Sequence, residues 1–261
     1  MEIIRKLSLL IALILVPLRA HSEAEPVLVA AAADLKFALD DLLVEFRRTH
    51  PGVNAKPTYG ASGTLFAQID NGAPFDLFLS ADIRFPRELI DRDKADGDTL
   101  FLYAIGHLVI WLPNESRVDL AKLGAKTLLD PSIGKVAIAN PDVAPYGAAA
   151  VAALKELGVH DAVRSKLVRG ENVAQTAQFV QSGAAHAGII SLSLALSPKM
   201  SSAGKYWEIP VSAFPKLEQA GVIINKGRNR QGAEQLRAFL GSDGGREILK
   251  RYGFALPEGG R

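Results

Sequence analysis

Four short stretches combine small and polar residues immediately before a helical pattern. They are Ala33-Asp34, Gly60-Ala-Ser62-Gly63-Thr64, Asn140-Pro-Asp-Val-Ala-Pro145-Tyr146-Gly147 and Glu171-Asn172-Val173. The start of a helix leaves backbone N–H groups free and carries the positive end of the helix dipole, so loops of this kind can hold an anion. The same residues also serve as ordinary helix caps. Both readings stand on spacing alone.

Catalytic patterns are weak by comparison. Gly60-Ala-Ser62-Gly63 lacks the G-x-S-x-G spacing of a nucleophile elbow, because its second glycine comes one position early. Ser62 therefore reads as a cap or a ligand donor. An exported hydrolase using Ser62 is the rival from another functional class, and no nearby residue supplies its base. The five histidines (21, 50, 107, 160 and 186) lie far apart in the chain, and none forms an H-E-x-x-H pair. No P-loop and no dinucleotide fingerprint is present. Asp40-Asp41 falls within a helical pattern and reads as a solvated face.

The elements that would position these loops alternate. Residues 27–33 and 75–80 are short apolar runs, as in buried parallel strands. Residues 53–59 alternate moderately and read as another strand. Apolar residues at 35, 37, 38, 42, 43 and 46 have helical spacing, and Pro51-Gly52 ends that helix. Helices are also expected from residue 64 to 69 and near 86–91. This β-α series predicts a parallel sheet with crossover helices. Residues 102–112 read as one long strand leading into a second lobe. That lobe is expected to hold strands at 135–139 and 187–191 and helices near 146–157 and 174–181. Residues 206–210 return the chain, 221–225 form a last strand, and helices near 231–240 and 245–252 close it. The fold class is α/β with two lobes and a cleft, without a flexible linker between them.

The N-terminus reads as a secretory signal. Arg5 and Lys6 precede an apolar run from Leu7 to Leu18, and Ala20-x-Ser22 offers small residues for the peptidase. Cleavage is expected after Ser22, with Ala24 as the second choice. The run is shorter than the roughly 20 residues of a spanning helix. The expected division is 1–22 signal, 23–104 with 211–261 for lobe 1, and 105–210 for lobe 2.

The chain has 30 basic and 28 acidic residues among its 261, and the signal holds Arg5, Lys6, Arg19 and Glu2. Removing it leaves 27 of each sign and a formally neutral protein. Such a protein has no bulk field to attract nucleic acid or a membrane. No cysteine is present, which excludes disulfides, thiolate metal sites and a lipidated N-terminal cysteine. A free periplasmic protein is expected.

At its loops the chain resembles the periplasmic molybdate-binding proteins, the solute receptors of molybdate ABC importers. The matching segments are Ala31-Ala-Ala-Asp-Leu35, Tyr59-Gly-Ala-Ser-Gly-Thr64, Asn71-Gly-Ala-Pro-Phe-Asp-Leu-Phe-Leu-Ser-Ala-Asp82, residues 103–111 and Ala139-Asn-Pro-Asp-Val-Ala-Pro-Tyr-Gly147. Arg251-Tyr-Gly-Phe254 matches near the C-terminus. The resemblance covers essentially the whole mature chain. It implies a type II periplasmic binding protein, in which two α/β lobes enclose a tetrahedral oxyanion.

Carried over by position, the ligand-binding residues are Ala33, Asp34, Ser62, Tyr146 and Val173. Ser62 would donate its hydroxyl and backbone N–H, and Tyr146 and Val173 their backbone N–H groups. Ser191 stands where some members have a tyrosine donor. The resemblance implies molybdate, with tungstate as a close analogue, and a membrane permease as partner. It implies a monomer with no enzymatic activity, no separate cofactor and no cation site. A sulfate-like or phosphate-like ligand on the same fold is the alternative.

Asp34 departs from the pattern, since many members have Ser or Asn there. An ionised carboxylate cannot donate and repels a dianion. One expectation is that it caps the helix beginning at Leu35. The other is that it accepts a proton from a protonated oxyanion and shifts selection away from molybdate.

Overall fold

The computed structural model describes residues 25–257. The expected signal segment and both cleavage positions lie outside the described residues. The apolar run near the start forms β1 (Val27–Ala32), and five of its six residues are buried. It lies between β2 (Ala55–Gly60) and β3 (Leu77–Ser80) and runs parallel to both. A tight turn, Ala33–Leu35, leads from β1 into the helix Lys36–Thr49. Helices Ser62–Asp70 and Arg84–Asp91 follow β2 and β3. Their apolar faces cover the sheet: Leu35, Leu39, Leu42 and Phe46 pack with Leu77 and Leu79 in one cluster. Leu65, Ile69 and Leu89 pack with Phe78 in another.

Residues 102–112 form two strands, not the single one expected. β4 (Phe101–Gly106) belongs to the first sheet and β5 (Leu108–Pro113) to a second, with His107 between them. Tyr103, Ala104 and Gly106 are buried in the first sheet and residues 108–112 in the second, so the apolar run continues through the break and hides it. Gly106 marks the crossing. A Cβ there would stand 2.2 Å from the Tyr146 hydroxyl, so only glycine leaves room for that side chain.

The second sheet adds β6 (Val136–Ala139), β7 (Leu167–Gly170), β8 (Ala187–Ser191) and β9 (Gly204–Glu208). β7 was not expected from the sequence; it is short and only one of its four residues is buried. The chain returns to the first sheet as β10 (Leu217–Ile223), four residues earlier than expected. The strand orders are β2-β1-β3-β10-β4 and β7-β6-β8-β5-β9. β10 is antiparallel to β3 and β4, and β5 is antiparallel to β8 and β9. Both sheets are therefore mixed, with a parallel core of three strands in each.

The two lobes touch along the cleft. Gly63 N–H donates across it to Val143 O at 2.9 Å. A Cβ on Gly63 would lie 2.8 Å from that same oxygen, so a side chain there would hold the lobes apart. Ser193 Oγ of the second lobe donates to Asp34 O at 2.8 Å.

Candidate functional site

The cleft closes on a small cavity at the carboxyl ends of β1 and β2, facing helix starts of the second lobe. Its lining includes Ala33, Asp34, Ser62, Ala81, Tyr146 and Val173. The cavity volume is only about 10 Å³. That is a tight space for a single small body.

Most of the lining presents neutral donors. Ser62, Tyr146 and Val173 lie at the first or second position of their helices. Their backbone N–H groups have no partner within those helices and can point at a ligand. Ser62 Oγ accepts from Ala81 N–H at 3.0 Å, which leaves its hydroxyl hydrogen to donate. Asn172 caps the helix Val173–Gln181, its Oδ1 accepting from Ala174 and Gln175 N–H at 3.0 Å each. That cap fixes the direction of Val173 N–H. Pro145 opens the helix Pro145–Glu156, where its missing donor costs nothing. Among the described residues, no lysine, arginine or histidine lines the cavity. Among the described residues, no group of three or more His, Cys, Asp or Glu is placed to hold a metal ion.

Among the described residues, Asp34 is the only charged side chain in the lining. It is 1% exposed. The expected cap on the following helix does not form, since neither the turn nor the helix has a side-chain cap bond. The carboxylate turns instead to β10, where Oδ2 accepts from Gln219 Nε2 at 2.6 Å. Gln219 Nε2 also donates to Tyr146 Oη at 3.1 Å, and Gln219 Oε1 accepts from Tyr103 Oη at 3.0 Å. Burial pushes the Asp34 carboxyl up to a pKa of about 6, against the pull of Gln219, Tyr146 and the nearby backbone N–H groups of residues 34 and 35. Burial, followed by the adjacent Asp34 charge, raises both tyrosines well above their usual range.

The structure brings Ala33, Asp34, Ser62, Tyr146 and Val173 together at the cavity and leaves Ser191 out of its lining. Ser191 Oγ caps the short helix Leu192–Ala195 and lies within hydrogen-bond distance of Ser193 Oγ, at 2.9 Å. Its hydroxyl is held by structure one link behind Asp34. Sequence reasoning missed Gln219, Tyr103 and Ala81, and it gave Tyr146 a backbone role only. A fully buried glutamine within an apolar strand was the available signal for Gln219.

The chain was compared with known proteins. The family model for bacterial extracellular solute-binding proteins matches residues 27–255. A molybdate-binding protein of Azotobacter vinelandii is 35% identical, with 92% of this chain and 93% of that one aligned. The molybdate-binding protein of Escherichia coli is 29% identical, with 91% of each aligned. The solved structure of the Azotobacter vinelandii periplasmic molybdate-binding protein matches with a TM-score of 0.83 at 30% identity, covering 89% of this chain and all of that one.

Proposed function

Since the chain belongs to the family of bacterial extracellular solute-binding proteins, we propose that it is the periplasmic receptor that captures molybdate and delivers it to an ABC-type importer. It is a binding protein and not an enzyme. The observation that carries the ligand assignment is the cavity itself: helix-start donors from both lobes converge on a space for one small ion, with no cation beside it.

Ser62 hydroxyl and the backbone N–H groups of Ala33 or Asp34, Ser62, Tyr146 and Val173 hold the oxyanion. A hydrogen bond to a charged group contributes about 1.5–3 kcal/mol, so about five of them give tight capture without net charge on the protein. Cavity size separates molybdate from the smaller sulfate, since both are tetrahedral dianions. Tungstate, close to molybdate in size and charge, binds as well. No cofactor takes part. Ligand bonds from both lobes favour the closed form, and the permease reads that closure. The receptor acts as a monomer after its signal is removed.

A thermal-shift series with molybdate, tungstate, sulfate and phosphate tests this. A ligand that binds only the folded form raises the melting temperature with its affinity. Molybdate and tungstate are expected to give the largest rises. No rise with either would contradict the assignment.

A further inference from the structure

Asp34 is left half satisfied. Oδ2 takes the Gln219 bond, but Oδ1 is buried and has no hydrogen-bond partner among the described residues. Gln219, Tyr103 and Ser193 around it are already engaged, and the Tyr146 hydroxyl, which accepts from Gln219, acts on the carboxyl by lowering its pKa. Gln219 spends its amide on Asp34 and Tyr146. Tyr103 shares its one O–H between Gln219 Oε1 and Ser80 O, each at 3.0 Å. Ser193 donates to the Asp34 carbonyl.

Among the described residues, no cationic side chain lines the cavity beside the carboxylate. β10 reaches Asp34 through Gln219, and its one titratable side chain, Glu218, pairs with Lys216 at 2.9 Å. The elements packed most closely against the Ala33–Leu35 turn are β2 and the helices Lys36–Thr49, Leu192–Ala195 and Val173–Gln181. The last two carry no titratable side chain. Lys36 pairs with Asp40 at 3.1 Å and lies over the Tyr59 ring, while Tyr59 donates to Asp40. Asp41, Glu45, Arg47 and Arg48 are on the solvent side of their helix, and Lys56 of β2 is exposed. The titratable groups that face Asp34 are Tyr103 from β4 and Tyr146 from the second lobe, and both stay un-ionised.

An ionised carboxylate with one bare oxygen in a cavity for a dianion is repelled by its own ligand. A protonated one has a hydroxyl to offer and needs an acceptor. We propose that Asp34 couples capture to a proton: when a fully ionised tetrahedral oxyanion enters, the carboxyl takes one proton from solvent at Oδ1 and donates that O–H to a ligand oxygen. The inference rests on the receptor reading above. The charge of the complex is then that of the ion alone, and the orphaned oxygen gains its partner. The raised pKa of the closed form points the same way, and a neighbouring dianion raises it further. The free carboxyl is ionised at neutral pH and the liganded one is not.

Calorimetry of the mature protein with molybdate tests this, run at pH 7.5 in two buffers of different ionisation enthalpy. About one proton is expected to be taken up per ion bound, and affinity is expected to fall by up to about tenfold per pH unit between pH 6 and 8. Asp34→Asn, which is neutral, of the same shape and able to donate, should bind with no proton uptake and with affinity independent of pH. Asp34→Ser should behave likewise, and melting curves establish that both variants fold. Molybdate binding without proton uptake, or the same pH slope in a folded neutral variant, overturns the inference and leaves the receptor reading intact. Absence of binding by the wild type at every pH also overturns it. If the neutral variants fail as well, the receptor reading falls too.

Discussion

The two walls of the cleft are built alike and charged differently. The second lobe offers the helix starts at Tyr146 and Val173, backed by the Asn172 cap, and no ionisable group but the Tyr146 phenol. The first lobe offers Ser62 on the same plan, but beside it stands a buried carboxylate tied to β10. An oxyanion site needs only the neutral pattern. The acidic wall therefore has to be explained by what it adds, and Gln219, which donates both to Asp34 and to Tyr146 of the second lobe, ties the carboxylate to the contact between the lobes.

The comparison breaks first at Gln219. Gln219→Leu removes the donor on Asp34 and the acceptor for Tyr103 together. Leaving a buried charged group without its partner costs about 3 kcal/mol or more. Urea unfolding at pH 7.5 should show a loss of that size, and a loss below about 1 kcal/mol would mean that Asp34 is not held as described.

Asp34→Asn should act in the opposite direction. The folded pKa near 6 lies above the ordinary value of 3.8, so the folded state binds more protons than the unfolded state between those values. Stability from this group is therefore greatest below about pH 4, declines as pH rises to about 6, and stays reduced above it. The shift corresponds to about 3 kcal/mol at neutral pH. In the ligand-free protein Asp34→Asn should recover up to that amount at pH 7.5 and little at pH 4, as read from unfolding curves at both values. Equal gains at both would assign the effect to packing.

The neutral donors are tested through affinity. Ser62→Ala removes one hydroxyl and should cost about 1.5–3 kcal/mol in molybdate binding, or roughly ten- to 150-fold. Val173→Pro removes only a backbone N–H. Proline is tolerated at a first helical position, and Asn172 before it is already extended (φ −147°, ψ 175°). A folded Val173→Pro protein with weakened binding of similar size would show that this backbone group touches the ion. Ser191→Ala should show the smallest effect, a loss of about 1 kcal/mol in stability from the missing cap, with molybdate affinity unchanged.

Much of this could be read in the chain. Buried strands such as β1 and β3 declare themselves as short apolar runs, and the polar residues before each helix pick out most of the cavity. The loop pattern is local, so neighbours in sequence suffice to see it. The rest depends on contacts between distant residues. Asp34 meets Gln219 across 185 positions, and nothing near either residue announces the pairing. A carboxylate before a helix looks like a cap, and only the fold shows the stronger partner waiting on β10. The β4–β5 break was hidden for a related reason, because hydropathy reports burial and does not say in which sheet.

Equilibrium dialysis of the mature protein against molybdate, with molybdenum counted by elemental analysis, tests the central claim most directly. One molybdenum atom per chain is expected, bound saturably and displaced by tungstate but not by equimolar sulfate. No retained molybdenum at saturating molybdate would contradict the account.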